Sequence, residues 1–357
     1  MKRKVIYCIT AFLIMALLPL MSVGSISEEM TAASVHLTAG ESKTENDTAA
    51  KQSPDRSDRA DAEPASPDKQ PHEKRGFKIL DTSCGKVVTV DEKEFCCGAL
   101  GYEMAPLYEI EALKAQCTAC YTHFCMLREK QQNDPDPELK GADLSADLSK
   151  NQIWLSDDAM KKKWGNLYER SRERINKAVD ECFGKVLCDD KGGLIDAAYF
   201  ALSSGNTENS KDIFGFDSPY LRSVPSPFDL KAPDQISKKT VSRDDLLAAL
   251  KVLNKEMKLP EKADGRTGTP ERTNAGSVLK IRIGSCEFTG AEIREAFGLR
   301  SSNFDVTDNG DSFEFTVRGY GHGVGMSQYG ANSLAQQGSD YKEILRHYYG
   351  DAHITDY

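Results

Sequence analysis

The sequence predicts one mixed α+β domain behind an apolar N-terminal segment, and three observations predict it. A basic start, Lys2-Arg3-Lys4, precedes an apolar run from Val5 to Val23. From about residue 77, amphipathic helical stretches mix with short, mostly adjacent strands and show no regular strand–helix–strand rhythm. Near the other end, five glycines fall between Gly319 and Gly330, spaced by polar and aromatic residues. Each glycine gives up backbone entropy and packs nothing. Such a run persists only where the backbone turns sharply or lies close to something else.

The elements follow in chain order. Residues 5 to 23, as a helix, rise about 28 Å, close to a bilayer's hydrocarbon thickness. A basic start keeps the N-terminus inside and sends the rest across. Residues 1–24 therefore read as a secretory signal or an uncleaved signal anchor, the anchor being favoured by apolar length. This implies a single-pass membrane protein with an extracytoplasmic domain, or a secreted one if the segment is cleaved. Residues 25–76 are rich in Ser, Thr, Asp, Glu, Lys, Ala and Pro and contain no aromatic residue. They cannot bury enough apolar surface to offset chain entropy and read as a disordered linker. Residues 77–357 are left for the folded domain.

Phe77–Leu80 and Lys86–Thr89 read as strands around Ser83-Cys84-Gly85. Asp91, with Glu94 three residues on, is a capping-box-like helix start, and that helix runs to about Met104. A second helix begins near Tyr108, with Ile110, Leu113, Cys117, Cys120 and Phe124 as its buried stripe. Residues 131–165 are polar and irregular. Ile175–Phe183 reads as a short helix. Val186–Cys188 and Leu194–Leu202 read as strands around the hairpin signal Asp190-Lys191-Gly192-Gly193. Ser242 caps a helix through Leu246, Leu247, Leu250, Leu253 and Met257. Leu279–Ile283 is a strand, Thr289 with Glu292 opens a helix to Phe297, and Phe313, Phe315 and Val317 alternate into the glycine loop. Ser339 starts the last helix.

The net charge is -9, with both signs interspersed, and there is no basic stripe to hold nucleic acid. Ten cysteines, one of them Cys8 in the apolar run, leave an odd number for the domain. Their scatter suggests thiols used as small apolar residues, with a pairing such as Cys182–Cys188 left open. Cys117, Cys120, His123 and Cys125 look like a metal set. Their place inside a helix, on its core stripe, favours packing instead, because zinc thiolates usually come from tight turns.

Glu103 is the strongest chemical candidate. It ends a helix beside Met104, Pro106, Leu107 and Tyr108. An apolar, partly desolvated setting raises a carboxyl pKa, and a glycosidic oxygen needs a protonated acid near neutral pH. His322 either orients a substrate or bonds the loop backbone. Ser204 has no Gly-x-Ser-x-Gly elbow and either bonds a sugar or closes its loop.

Taken in order, several runs resemble the stage II sporulation protein D family of cell-wall lytic transglycosylases, which also contains amidase enhancers. They are Glu103-Met104, then Glu111-Ala112-Leu113-Lys114-Ala115-Gln116, Ser203-Ser204-Gly205-Asn206-Thr207-Glu208, Pro219-Tyr220-Leu221-Arg222, Gly298–Phe304 and Arg318–Ala331. The resemblance covers most of residues 77–350 and implies a catalytic domain with a substrate cleft. It places the family's catalytic glutamate on Glu103. Tyr121, Ser204, Gly205, Thr207, His322, Ser327, Gln328 and Tyr329 become candidate substrate-binding residues. The implied reaction uses one carboxyl as acid and then base while the C6 hydroxyl of N-acetylmuramic acid closes a 1,6-anhydro ring. The implied substrate is glycan strands lacking stem peptides, in septal wall remodelling during engulfment. The implied partners are a cell-wall amidase and a membrane scaffold protein; for this chain no cofactor and, for want of the ligands named next, no metal is expected. There are departures. Tyr121 stands where the family has an arginine, Ser145 and Asn151 stand where some members have zinc-binding cysteines, and Ala201 replaces a histidine. The rival reading is a non-enzymatic glycan-binding scaffold that enhances an amidase.

Overall fold

The computed structural model describes residues 76–262 and 265–357. The apolar segment 1–24 and the linker lie outside the described residues, except that Gly76 already begins a strand. Among the described residues no helix is long and apolar enough to cross a membrane. All of them fall in one compact unit.

Strand β1 (Gly76–Asp81) turns through Gly85, which adopts a φ of +71°, into β2 (Lys86–Asp91). Asp91 then caps helix α1 (Glu92–Glu103), its carboxylate accepting from the Lys93 and Glu94 amides at 3.0 and 3.1 Å. Such a cap is worth about 1 kcal/mol. Helix α2 (Ile110–Asn133) follows, then β3 (Leu144–Ala146), α3 (Asp157–Trp164), α4 (Tyr168–Cys182) and β4 (Lys185–Cys188). Next come β5 (Tyr199–Phe200), the short α5 (Ser210–Phe214), β6 (Ile236–Ser242) and α6 (Arg243–Leu253). They lead into β7 (Glu271–Arg272), β8 (Val278–Ile283), β9 (Cys286–Thr289) and α7 (Gly290–Phe297). The chain ends with β10 (Phe304–Asp308), β11 (Ser312–Arg318), β12 (Met326–Ser327), α8 (Gln328–Gln336), α9 (Tyr341–Tyr349) and β13 (His353–Asp356).

The strands form small sheets, as expected for an α+β fold. β1 lies between antiparallel β2 and parallel β3, and β11 lies between β10 and β6, both antiparallel. β7, β8 and β9 form a meander. Two pairs join distant parts of the chain: β5 with β12, parallel, and β4 with β13, antiparallel.

Two apolar cores result. One surrounds α2, which is buried without a break from Ala112 to Cys125 and packs against α1, α4, α8 and α9. The other lies under β11, whose Phe313, Phe315 and Val317 alternate inward onto Leu246, Leu250, Phe297 and Phe304. Burying each such side chain is worth about 1.5–3 kcal/mol.

Three expectations need correction. The hairpin at Asp190–Gly193 is only a tight turn with one bridge, Cys188 to Leu194, because β4 takes the C-terminal strand as its partner. Residues 131–165 are not irregular throughout: Ser156 caps α3, its hydroxyl accepting from Ala159 N–H at 3.2 Å. Helix α4 begins at Tyr168, ahead of the expected Ile175. No disulfide joins Cys182 to Cys188, and all nine described cysteines but Cys84 are buried. Cys117, Cys120 and Cys125 belong to the α2 core.

Candidate active site

The glycine loop is a close-packing device. Gly319, Gly321, Gly323 and Gly325 all have positive φ. A Cβ on Gly325 would sit 1.9 Å from the Ala198 carbonyl oxygen, and one on Gly321 would sit 2.7 Å from Phe200 Cβ. The loop therefore lies directly on segment 198–203, held by paired bonds between Leu202 and Tyr320 at 3.0 and 2.7 Å. That contact brings β12 beside β5. Two side chains from the ends of this parallel pair, Tyr199 and Gln328, converge on the C-terminal end of α1.

Glu103 is the last residue of α1. The helix stops there because Pro106 disfavours helical backbone at Ala105, and Met104 is extended, with its N–H still bonded to Leu100. Glu103 is half-buried. Burial pushes its carboxyl up to about 7, opposed by hydrogen bonds from Tyr199 and Gln328 and by the charge of Lys163. The Tyr199 phenol is fully buried and also reaches the Cys120 sulfur at 3.6 Å. Gln328 donates to Gln116 Oε1 at 3.4 Å, which holds its amide over the site. Among the described residues, no second carboxylate is one of the groups that act on Glu103. A carboxyl near 7 is present in both forms at neutral pH, and its donors stabilise the anion once the proton has left.

The other predicted residues are placed unevenly. Gln328 sits against Glu103. Tyr329 is half-buried, its phenol pushed up by burial and by Asp229 and Asp234; the same two acids and Tyr329 act on Tyr108. Ser327 is fully buried and caps α8, accepting from Gly330 N–H at 3.2 Å, so it cannot contact a substrate. Thr207 is also fully buried and accepts from Val224 N–H at 2.8 Å. Gly205 is buried, at φ +107°, and its carbonyl accepts from Ser226 N–H at 2.8 Å. Ser204 closes its loop by donating to the Ala275 carbonyl at 3.0 Å. His322 Nδ1 accepts from Val324 N–H at 3.1 Å, which is the loop-bonding role. Burial and Arg294 push His322 down to about 4, so its ring is neutral at physiological pH. Ser204 and His322 line a separate cavity of about 20 Å³, with Glu208 and Ser277 on its wall; Glu103 is not part of it. That volume holds about one water.

Tyr121 is the clearest correction. It is 4% exposed, and its phenol donates to Glu92 Oε2 at 2.8 Å, beside the Arg128–Glu92 ion pair. Glu92 is the first residue of α1 and Glu103 the last. Eleven helical steps separate them, about 16 Å. Tyr121 is thus a core residue at the far end of the helix. The sequence reading missed Tyr199 and Lys163. Tyr199 stood in an expected strand, where alternation was its only signal, and Lys163 lay in a stretch read as irregular. A depression of about 480 Å³ along α4, lined by charged residues such as Glu169, Arg172 and Glu181, holds none of these groups.

Fold and site together define a mixed α+β protein in which side chains from distant segments meet at one carboxyl group with a raised pKa. A family model described as Stage II sporulation protein, SpoIID, matches residues 81–188. The chain is 34% identical over 281 residues to stage II sporulation protein D of Bacillus amyloliquefaciens, covering 78% of each chain. The same figures hold for stage II sporulation protein D of Bacillus subtilis (strain 168). It is 26% identical over 308 residues to the amidase enhancer of Bacillus subtilis (strain 168), covering 73% of this chain and 40% of that one. The chain belongs to the stage II sporulation protein D family, and its relatives support a role in sporulation.

Proposed function

We propose that this protein is a peptidoglycan lytic transglycosylase acting on glycan strands freed of stem peptides, with Glu103 as acid and then base. The observation that carries the reading is a lone carboxyl held near 7 and bonded by Tyr199 and Gln328. Ordinary retaining and inverting glycosidases use two carboxyl groups. A lone one suffices when the substrate supplies its own nucleophile. Glu103 gives its proton to the leaving glycosidic oxygen. The resulting carboxylate, stabilised by its two donors, takes the proton from the C6 hydroxyl as that oxygen closes on C1. The carboxyl is thereby restored, and a 1,6-anhydro end is formed.

In this reading residues 77–357 form the catalytic domain, residues 25–76 a linker, and residues 1–24 an anchor that leaves the domain outside the cytoplasm. The partners are an amidase that strips stem peptides and a membrane scaffold protein. Likeness to a relative named amidase enhancer favours a second reading, a glycan-binding scaffold without cleavage. Incubating the full-length protein with denuded strands separates the two. The transglycosylase yields 1,6-anhydro ends by mass spectrometry, whereas the scaffold retains strands and yields none. Protease added to intact protoplasts digests the domain if the proposed topology holds, and full protection contradicts it.

A further inference from the structure

We propose that Lys163 is a positioning residue of the Glu103 site: its ammonium ties down the end of the helix that presents the carboxyl and supplies the positive charge that acts on it. This deepens the transglycosylase reading and rests on it for its catalytic meaning.

The placement is built by packing. Helix α3 docks on α1 where α1 has no side chain. A Cβ on Gly101 would lie 3.0 Å from the Trp164 ring and 3.3 Å from both Ile175 and Met160. One turn earlier, a Cβ on Gly98 would strike Trp154, whose indole donates to the Glu94 carbonyl at 3.3 Å. This close approach brings Lys163 Nζ to the Gly101 carbonyl at 3.0 Å and the Tyr102 carbonyl at 3.5 Å. Those carbonyls belong to the last turn of α1, which the helix itself leaves unpaired. The negative end of the helix dipole also favours a cation there. The residue after Tyr102 is Glu103, so the lysine fixes the backbone from which the carboxyl projects.

Its charge also matters. The titratable groups around Glu103 are Tyr102, Tyr199, Cys120 and Lys163. Burial pushes Tyr102 up to about 12 and raises Tyr199 and Cys120, so these three are neutral near pH 7. Lys163 is the charged member. Burial lowers its own pKa, and Glu103 pulls it back. The family's arginine position is Tyr121, which faces the other end of α1. Lys163, from a different helix, supplies the cation at this end.

Carboxyl ¹³C NMR of the full-length protein in detergent tests the assignment, with Glu103 identified by the signal lost in Glu103→Gln. Lys163→Met keeps the stem and removes the charge. It is expected to move the Glu103 midpoint upward by about one unit, while Lys163→Arg leaves it in place. An unchanged midpoint in a folded Lys163→Met protein overturns the proposal. If that variant fails to fold, Lys163→Gln keeps a donor for the two carbonyls and must show the same upward shift; no shift overturns the proposal equally. The two readings fail separately. An upward shift in a protein that never makes 1,6-anhydro ends sinks the transglycosylase reading and leaves Lys163 standing. Cleavage by wild type with no shift does the reverse.

Discussion

Replacing Glu103 with glutamine changes stability in a way that depends on pH, and the size of the change follows from the site. Glutamine keeps the shape and stays neutral. The wild-type carboxyl sits at about 7 in the fold against an ordinary 4.5. Its folded value is raised, so the stability it contributes is fully present below about 4.5 and is lost as pH climbs through 7. Linkage across those two values gives a wild-type loss of about 0.8 kcal/mol at pH 5 and about 3.4 kcal/mol at pH 9. Solvent reaches the half-buried group and trims the difference, leaving an expected rise of about 1–2 kcal/mol. Glu103→Gln therefore gains on wild type between pH 5 and pH 9. Urea unfolding followed by near-UV circular dichroism at pH 5, 7 and 9 measures it. A stability difference that stays constant across that range refutes the raised carboxyl on which the mechanism depends.

Three further outcomes are expected. Tyr199→Phe removes a donor that stabilises the ionised Glu103, so the alkaline limb of the cleavage pH profile moves up by about one unit; an unmoved limb contradicts the contact. Gly325→Ala puts a methyl group into the Ala198 carbonyl at φ +80°, whereas Gly310→Ala, at φ +90°, meets nothing within 4 Å. Urea midpoints should show a loss above about 2 kcal/mol for the first and about 1 kcal/mol for the second; equal losses would mean that the loop does not lie on segment 198–203. Tyr121→Arg buries a second guanidinium beside Arg128 and costs about 3 kcal/mol or more in the same assay; a stable variant with improved cleavage would restore position 121 to the active site.

What the sequence revealed was mostly local. Asp91, Ser242 and the Thr289–Glu292 capping box all start helices where expected, because a cap is decided within four residues. Glu103 stood out because a helix end, a proline and apolar neighbours are all visible nearby. Its partners were not visible. Tyr199 and Gln328 reach it only because β5 pairs with β12, and nothing local announces that pairing. β4 prefers β13 over the adjacent segment for the same reason. Helix α3 was missed because only Met160 is buried and five of its eight residues are charged; the fit of Met160 and Trp164 against Gly101 is a tertiary effect. The error at Tyr121 came from a position in a motif. Register along α2 sends that side chain toward Glu92, and no motif records direction. Thr207 and Ser327 were polar residues in two functional-looking runs; the fold uses the first to fasten its loop to Val224 and the second to cap α8.

In the proposed reaction Glu103 moves the proton that breaks the glycan strand. The direct measurement compares full-length wild type and Glu103→Gln on denuded strands at pH 7, counting 1,6-anhydro ends by mass spectrometry while a co-sedimentation assay follows strand binding. Wild type is expected to form 1,6-anhydro ends and Glu103→Gln to form them about 10²–10⁴ more slowly, with binding retained. Similar rates from the two proteins would contradict the proposed reaction.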